Sequence, residues 1–425
     1  MWCVPRMWCV PRKMLSGARV WLAIALLLRP NLAHPQTEAP IFGTTVVVPS
    51  GLQGLIYFIR KGTGRLPGFS TRDAIGTIYT TSLNVPPRHF RQGFPGVTDR
   101  FEWFAIDYSG QFWIDQPGPY SFRLTSDDGA KLFVDGQLKI DNDGIHSART
   151  RSAKMVLRGG IHRIRVCYFQ GPQDYIALVL ELLGPDGNWQ VFSTDSFKPP
   201  SDPEQWKYGN VAEIGSNLPS ALDSQAVGKA RKAFVAGVAA LVDGNLKDAE
   251  KHLKRATKVL PSYAQAWSAL GQTWENQSNT EQARRAYERA LIANADYAPA
   301  AVRLARLDLV QLHDAAALEV TRPAIAQQTN NPLIYFYDAV ANTHLKDFDA
   351  AEKSARRAIE LDMLHEVPQA HYVLGISLGQ KGDVAGALEH MRIYLAMLPN
   401  AGDAEEVRGR IIALERTAGA AAPIK

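Results

Sequence analysis

Thr125–Gly136 reads TSDDGAKLFVDG, and the fold of the first half of the chain is decided by how that stretch is read. Asp127 and Asp128 stand side by side in a Gly-containing turn, between the strand-like run Tyr120–Leu124 and a second run, Lys131–Val134. Asp135-Gly136 closes the second run, and this dipeptide between apolar residues favours a two-residue hairpin turn, whose central positions need φ above zero. Strand, turn, strand and turn in close succession predict antiparallel sheet. The acidic turn carries the chemistry. Adjacent carboxylates repel unless a cation or a set of hydrogen-bond donors joins them, so this is either a cation-dependent recognition site or a polar turn whose acids face water.

The same grammar extends outward from about Gly51 to Phe197. FEWFAIDYSGQFWI, YSFRLTS, AKLFVDGQLKI, SAKMVLRGGIHRIRVCYF and YIALVLELLG are each bounded by Gly, Pro, Asn or Asp. Short aromatic-rich runs at regular spacing predict an all-β barrel or sandwich over 51–197. Trp103, Phe104, Phe112 and Trp113 are expected mostly in its core, and His146 and His162 are read as structural. Cys167 lies inside the run IHRIRVCYF and reads as core packing. KGTGRLPG (61–68) lacks the Gly-Lys-Ser/Thr ending of a phosphate loop and is taken as a barrel loop.

Several motifs in order resemble the protective-antigen-type (PA-fourteen) β-barrel domain, in its fibro-slime-like variant. They are GLQGLIYF, LNVPPRHFRQGFPGVTDRFEWFAIDYSGQF, PGPYSFRLTSDDGAKLFVDGQLKIDNDGIH, RGGIHRIRVCYFQGP and LLGPDG. The resemblance covers about residues 51–195 and implies a binding module. In sugar-binding members of the family two adjacent aspartates chelate calcium, and the calcium holds sugar hydroxyls. Asp127 and Asp128 match that pair. Calcium takes six to eight oxygen ligands, so further oxygens must come from another loop. The family's remaining ligands have no clear counterpart here, and the nearest candidates are QGPQDY, with Gln173 and Asp174 as sugar contacts, and DNDGIH, with Asp143 as an added calcium ligand.

From about Gly228 the chain becomes Ala-rich and periodic. Ala249, Ala283, Ala317 and Ala351 lie 34 residues apart, as do Ala256, Ala290, Ala324 and Ala358. Gly237, Gly271, Ala305 and Ala339 keep the step, and Gly375 and Ala387 resume it after a two-residue insertion. This is the period of tetratricopeptide repeats (TPR), an all-α helix-turn-helix solenoid. Trp267, Leu270, Gly271, Trp274, Ala283, Tyr287 and Ala290 make the second unit the best match, whereas the third and fourth are degenerate. About five repeats are expected over 228–416, the last stretch, 401–416, being a capping helix. The first helix of each repeat should line a peptide groove, with Phe234, Val238, Val302, Phe336, Val340, Tyr372 and Ile376 facing it alongside Ser268, Gln272 and Arg306. That lining is largely apolar and suits an apolar segment, from a partner or from the chain's own linker; the alternative is that several of these residues only pack between repeats.

Length and composition fit a multidomain globular protein: 425 residues, 46% hydrophobic and 21% charged. Residues 1–33 carry Arg6, Arg12, Lys13, Arg19, Arg29 and no acid, which accounts for the whole net charge of +5. The remainder is neutral, which argues against a nucleic-acid partner. The run Val20–Leu28 after Arg19 is too short to span a bilayer and reads as a secretion signal rather than a transmembrane anchor. MWCVPR occurs twice, at 1–6 and 7–12, and reads as an upstream extension before a start at Met14. Segments 34–50 and 198–227 read as linkers and 417–425 as a disordered tail. No metalloprotease, nucleophile-elbow, phosphate-loop or Cys-x-x-Cys spacing occurs. The expectation is therefore an exported, periplasmic, cell-surface or secreted non-enzymatic binder with a glycan partner and a protein partner. The alternatives are a structural envelope or matrix scaffold with no sugar ligand, and an accessory module of glycan-processing machinery.

Overall fold

The structure is a computed structural model that describes residues 41–172, 175–185, 187–199 and 224–420. The expected leader (1–33) and most of the expected linker after 198 lie outside the described residues.

The first half forms two antiparallel sheets. One has the order β2 (Gly76–Thr80), β1 (Leu52–Phe58), β4 (Phe104–Ile114), β9 (Gly160–Gln170), β6 (Ala130–Val134), β7 (Gln137–Asn142). The other runs β11 (Trp189–Val191), β10 (Tyr175–Leu183), β5 (Gly118–Asp127), β8 (Arg149–Leu157), with β3 (Asn84–His89) also pairing β10. No ladder closes the sheets into a barrel among the described residues, so of the two expected forms the sandwich is observed. The edge strands explain this. The edge strand β3 carries Pro86 and Pro87, which lack the N–H a ladder needs, and its register on β10 shifts between Ile176 and Leu178. The other edge, β8, is mostly exposed and carries Arg149, Arg151 and Lys154, charges that discourage further pairing.

Strand β5 shows how the alternating pattern positions the acidic turn. Tyr120, Phe122, Leu124 and Ser126 face inward and are buried, while Arg123, Thr125 and Asp127 face outward. Opposite Arg123 on β10 stands Glu181, and the guanidinium donates to both its carboxylate oxygens at 2.5 and 2.6 Å. Strand β5 therefore ends by delivering Asp127 to the outer face, at the rim. The Asp135-Gly136 turn between β6 and β7 has φ of 51° and 78°, as the dipeptide predicts.

The second half is five antiparallel helix pairs and a final helix. The pairs are α1 (Ser224–Val242) with α2 (Leu246–Val259), α3 (Ala264–Asn276) with α4 (Thr280–Ala293), and α5 (Ala298–Val310) with α6 (Asp314–Ala326). Then follow α7 (Pro332–His344) with α8 (Phe348–Leu361), α9 (Gln369–Gln380) with α10 (Val384–Met397), and α11 (Ala404–Ala420). Helix α1 starts before the expected 228, and α11 runs past 416 into the expected tail. The small periodic residues sit where paired helices touch: a Cβ on Gly271 would lie 2.4 Å from the Tyr287 ring. Asn245, Asn279, Asp347 and Asp383 cap the second helix of their repeats, each accepting a backbone N–H. The degenerate third unit has His313 there, without a side-chain cap. No described helix is long and apolar enough to cross a membrane.

The outer face of the six-stranded sheet is apolar as well. Tyr57, Ile59, Phe69, Trp103, Phe133, Cys167 and Phe169 form a second cluster on it, and Met363 and Leu364 pack onto this cluster. These last two lie in the α8–α9 connection, where the repeat gains its two extra residues. Cys167 is buried, as the strand pattern implied.

Candidate functional site

Asp127 and Asp128 end up at one end of the sandwich, joined by a cis peptide bond. Three segments converge on them. Asp128, only 3% exposed, accepts the His146 N–H at Oδ1 (3.0 Å) and the Gly171 N–H at Oδ2 (2.8 Å). The Tyr168 hydroxyl lies 2.6 Å from both the Asp127 carbonyl oxygen and Gln170 Oε1. Burial pushes that hydroxyl's pKa well above its usual value, so it remains a donor. Both loops singled out in the sequence, 141–146 and 170–175, therefore reach the pair through their backbone.

The electrostatics follow from this packing. Burial, then the charge of Asp128, raises the Asp127 pKa to about 6, against weaker lowering by the Ala148 N–H and His146. Burial also raises Asp128, although the Gly171 and His146 amides oppose it. Among the described residues no Lys or Arg forms an ion pair with either carboxylate. The donor set is therefore two hard oxygen ligands on adjacent residues, short of positive charge, which fits an oxygen-seeking divalent cation. No cluster of three or more acidic, His or Cys side chains suited to a metal occurs among the described residues. Any further ligands would be backbone or amide oxygens or lie in the undescribed 173–174.

Other expected site residues are placed as follows. The Asp143 carboxylate is occupied by neighbours: its Oδ1 accepts the Leu66 and Gly144 amides at 2.8 Å each, and Lys131 lies 3.7 Å from Oδ2. Gln173 and Asp174 lie outside the described residues. Asn142 points inward, donating to Ser126 Oγ and the Arg149 carbonyl and accepting from Arg149 Nε. His162, buried, pairs with Asp135 at 2.6 Å in a structural role. Phe104 and Phe112 are fully buried and Trp103 nearly so. The aromatic that does stand exposed near the pair is Tyr175, 48% accessible, with its ring 4.0 Å from that of His89. It shares the outward face of β10 with Ala177, which sits opposite Asp127. Its position two residues before Ala177 was the available signal, usable only once the β5–β10 register is known.

On the first helices of the repeats, the apolar residues expected in a groove pack largely between helices, the alternative reading of that pattern. Phe234, Val238 and Val302 are buried between helices. Phe336 and Val340 pack into the α7–α9 cluster, and Tyr372 and Ile376 into that of α10 and α11. The segment Gly68–Asp73, from the long β1–β2 connection, lies instead against polar side chains. Glu366 accepts the Phe69 N–H at 3.0 Å and the Ser70 N–H at 3.1 Å. Asn331 Nδ2 donates to the Ser70 carbonyl at 2.7 Å. Arg303, buried, donates to the Thr71 carbonyl and, at 3.1 Å, to Asp73 Oδ2. The Tyr297 hydroxyl donates to Asp73 Oδ1 at 2.5 Å, its pKa pushed far up by burial and then by Asp73. Ser268 and Gln272, expected on this face, hold the Arg303 guanidinium from behind. Arg303 itself was not singled out, because helical phase put its neighbours Val302 and Arg306 inward.

Comparison with known proteins accords with both halves. The family model described as PA14 domain matches residues 93–191, and that of the tetratricopeptide repeat matches 234–299 and 345–405. No curated protein matches the chain. Among solved structures, a PA14 sugar-binding domain from an RTX adhesin is 22% identical, covering 35% of this chain and 97% of its own, with a TM-score of 0.30. The PA14 domain of the antifreeze protein MpAFP is 20% identical, covering 34% and 88%, with a TM-score of 0.31. YrrB, a TPR protein with an unusual peptide-binding site, is 18% identical, covering 43% and 92%, with a TM-score of 0.36. The chain thus carries a PA14 domain followed by an array of tetratricopeptide repeats.

Proposed function

We propose that the chain is an exported, non-enzymatic binding protein whose PA14 domain recognises carbohydrate with the help of calcium at Asp127 and Asp128, while the repeat array recruits a protein. The observation that carries this reading is the charge imbalance at the acidic pair. Two adjacent carboxylates sit partly desolvated, with the pKa of Asp127 raised to about 6 and, among the described residues, no Lys or Arg paired to either. A divalent cation supplies the positive charge that is wanting, and when bound it offers open coordination positions to sugar hydroxyls. Tyr175, exposed on the same outward face, is suited to stack on a sugar ring. The leader-like residues 1–33 support export.

One observation favours the alternative, a structural scaffold without a sugar ligand. Both carboxylate oxygens of Asp128 already accept backbone amides, which is what a purely structural acidic turn would show. Calorimetric titration with calcium, followed by glycan-array binding with and without chelator, separates the two. Heat on calcium addition and chelator-sensitive glycan signals are expected. A silent titration with a silent array would leave only the scaffold.

A further inference from the structure

We propose that the outward face of α2, in the first repeat, is a docking line for an acidic polysaccharide, a linear chain of sugar units that each carry a carboxylate or sulfate. The inference extends the reading of the protein as an exported carbohydrate binder, and the choice of a polysaccharide over an acidic polypeptide rests on that reading.

The surface is a row of lysines. Lys247, Lys251, Lys254 and Lys258 follow one another on α2 at steps of four, three and four residues. With about 3.6 residues per turn they fall within an arc of about 60°, and the rise of the helix spreads them along roughly 17 Å. All four are exposed, while Ala249, Leu253, Ala256 and Thr257 bury the opposite side of the helix in the repeat. The repeat pattern does not call for such a row. At the same positions the second repeat has Glu281, Arg285, Glu288 and Ile292, and the fourth has Asp349, Lys353, Arg356 and Glu360, mixtures of both signs. Like charges three and four residues apart weaken a helix, so the first repeat carries its row against self-repulsion. Glu250 offsets only Lys254, at 2.5 Å, and among the described residues Lys247, Lys251 and Lys258 form no ion pair.

The shape of the row selects the partner. Acids border it on either side, Asp248 on one and Glu250 on the other, so the positive charge forms a line rather than a sheet. A line matches a linear polyanion, whereas a membrane surface would be met by basic groups spread across the helix. Among the described residues no exposed large apolar side chain lies on α2. The face therefore supplies neither the apolar anchors of bilayer binding nor those of an ordinary protein interface. It offers charge alone, which suits a polymer with an anion on each unit.

The probe is a fluorescein-labelled oligogalacturonate longer than the row, followed by fluorescence polarisation on the full chain in the presence of chelator. The unaltered chain should bind it, and added salt should weaken the binding. Lys247→Gln, Lys251→Gln, Lys254→Gln and Lys258→Gln together keep good helix formers at exposed positions and relieve the repulsion, so this variant should fold. It should bind at least about tenfold more weakly and with a flatter salt dependence. A control removes the same charge from the outward faces of later repeats: Arg285→Gln, Arg289→Gln, Arg322→Gln and Lys353→Gln. It should leave the affinity nearly unchanged. No binding by the unaltered chain would overturn the proposal, and so would equal losses in the two variants, which would reduce the effect to net charge. Polyglutamate, phosphatidylglycerol vesicles and a single-stranded oligonucleotide serve as competitors. Any of them displacing the probe as well as unlabelled oligogalacturonate does would overturn the assignment to polysaccharide. Every measurement is made without free calcium, so a silent calcium titration at the acidic pair and a failed test of the lysine row remain separate results.

Discussion

At the scale of single residues the two acids are not equivalent. Asp128 is buried with a donor on each oxygen, whereas Asp127 is only partly buried and is opposed by its neighbour's charge. Asp128→Asn should therefore lower metal-free stability by about 1–3 kcal/mol, because an amide offers one acceptor where two donors wait. Asp127→Asn should raise it at neutral pH by removing the repulsion. Calcium at a hundred times its dissociation constant should stabilise the unaltered protein by about 2.7 kcal/mol, and either variant should abolish that shift in a thermal melt. Equal calcium-induced shifts in all three would remove the pair as ligands. The acids, the Asp135-Gly136 turn and the buried Cys167 could all be read from local sequence, because each depends on neighbours within a few positions. Tyr175 could not, since its place beside the pair is set by cross-strand register.

At the scale of elements, the turns within the repeats show how degeneracy is tolerated. Gly244, Ser278, Leu312, Lys346 and Gly382 occupy the same left-handed position between paired helices, with φ between 58° and 88°. Leu312 is 75% exposed and gains little packing there. Leu312→Gly should stabilise the third repeat by roughly 1 kcal/mol, by relieving the Cβ clash, and His313→Asn should add about as much by supplying the missing cap. Urea denaturation of the single and double variants would test whether the gains appear and add. In the fifth repeat His371 and His390 lie with their Nδ1 atoms 3.0 Å apart. Burial and then His390 lower the pKa of His371, and burial lowers that of His390. The unfolded chain therefore binds protons first, so this contribution to stability is present above pH about 6.5 and lost on acidification through the depressed values. His390→Gln should flatten the decline of melting temperature between neutral and mildly acidic pH. The helix pairs were readable because their period repeats in several columns, while the choice between barrel and sandwich, both expected, was not, since it depends on edges that proline and basic residues keep from pairing.

At the scale of the molecule, the join between modules was the part least visible in sequence. Asp73 and Arg303 are 230 positions apart, and no local pattern couples them. The signals that existed were an apolar pair, Met363-Leu364, in a connection where polar residues are usual, and the two-residue insertion that carries it. The join should matter energetically. Among the described residues, Arg303→Ala leaves the buried Asp73 carboxylate with the Tyr297 hydroxyl alone, and removing one partner of a buried ion pair typically costs about 3–5 kcal/mol. Calorimetry should show one cooperative transition for the unaltered chain, and that transition should split or move sharply downward in this variant. Two independent transitions in the unaltered chain would argue that the join is weak. The insertion has one more consequence. Met363 and Leu364 roof the outer face of the six-stranded sheet, so a sandwich severed from its helices would turn Trp103, Phe133 and Phe169 toward water, and such a fragment should self-associate or precipitate, surviving only when its borrowed lid travels with it.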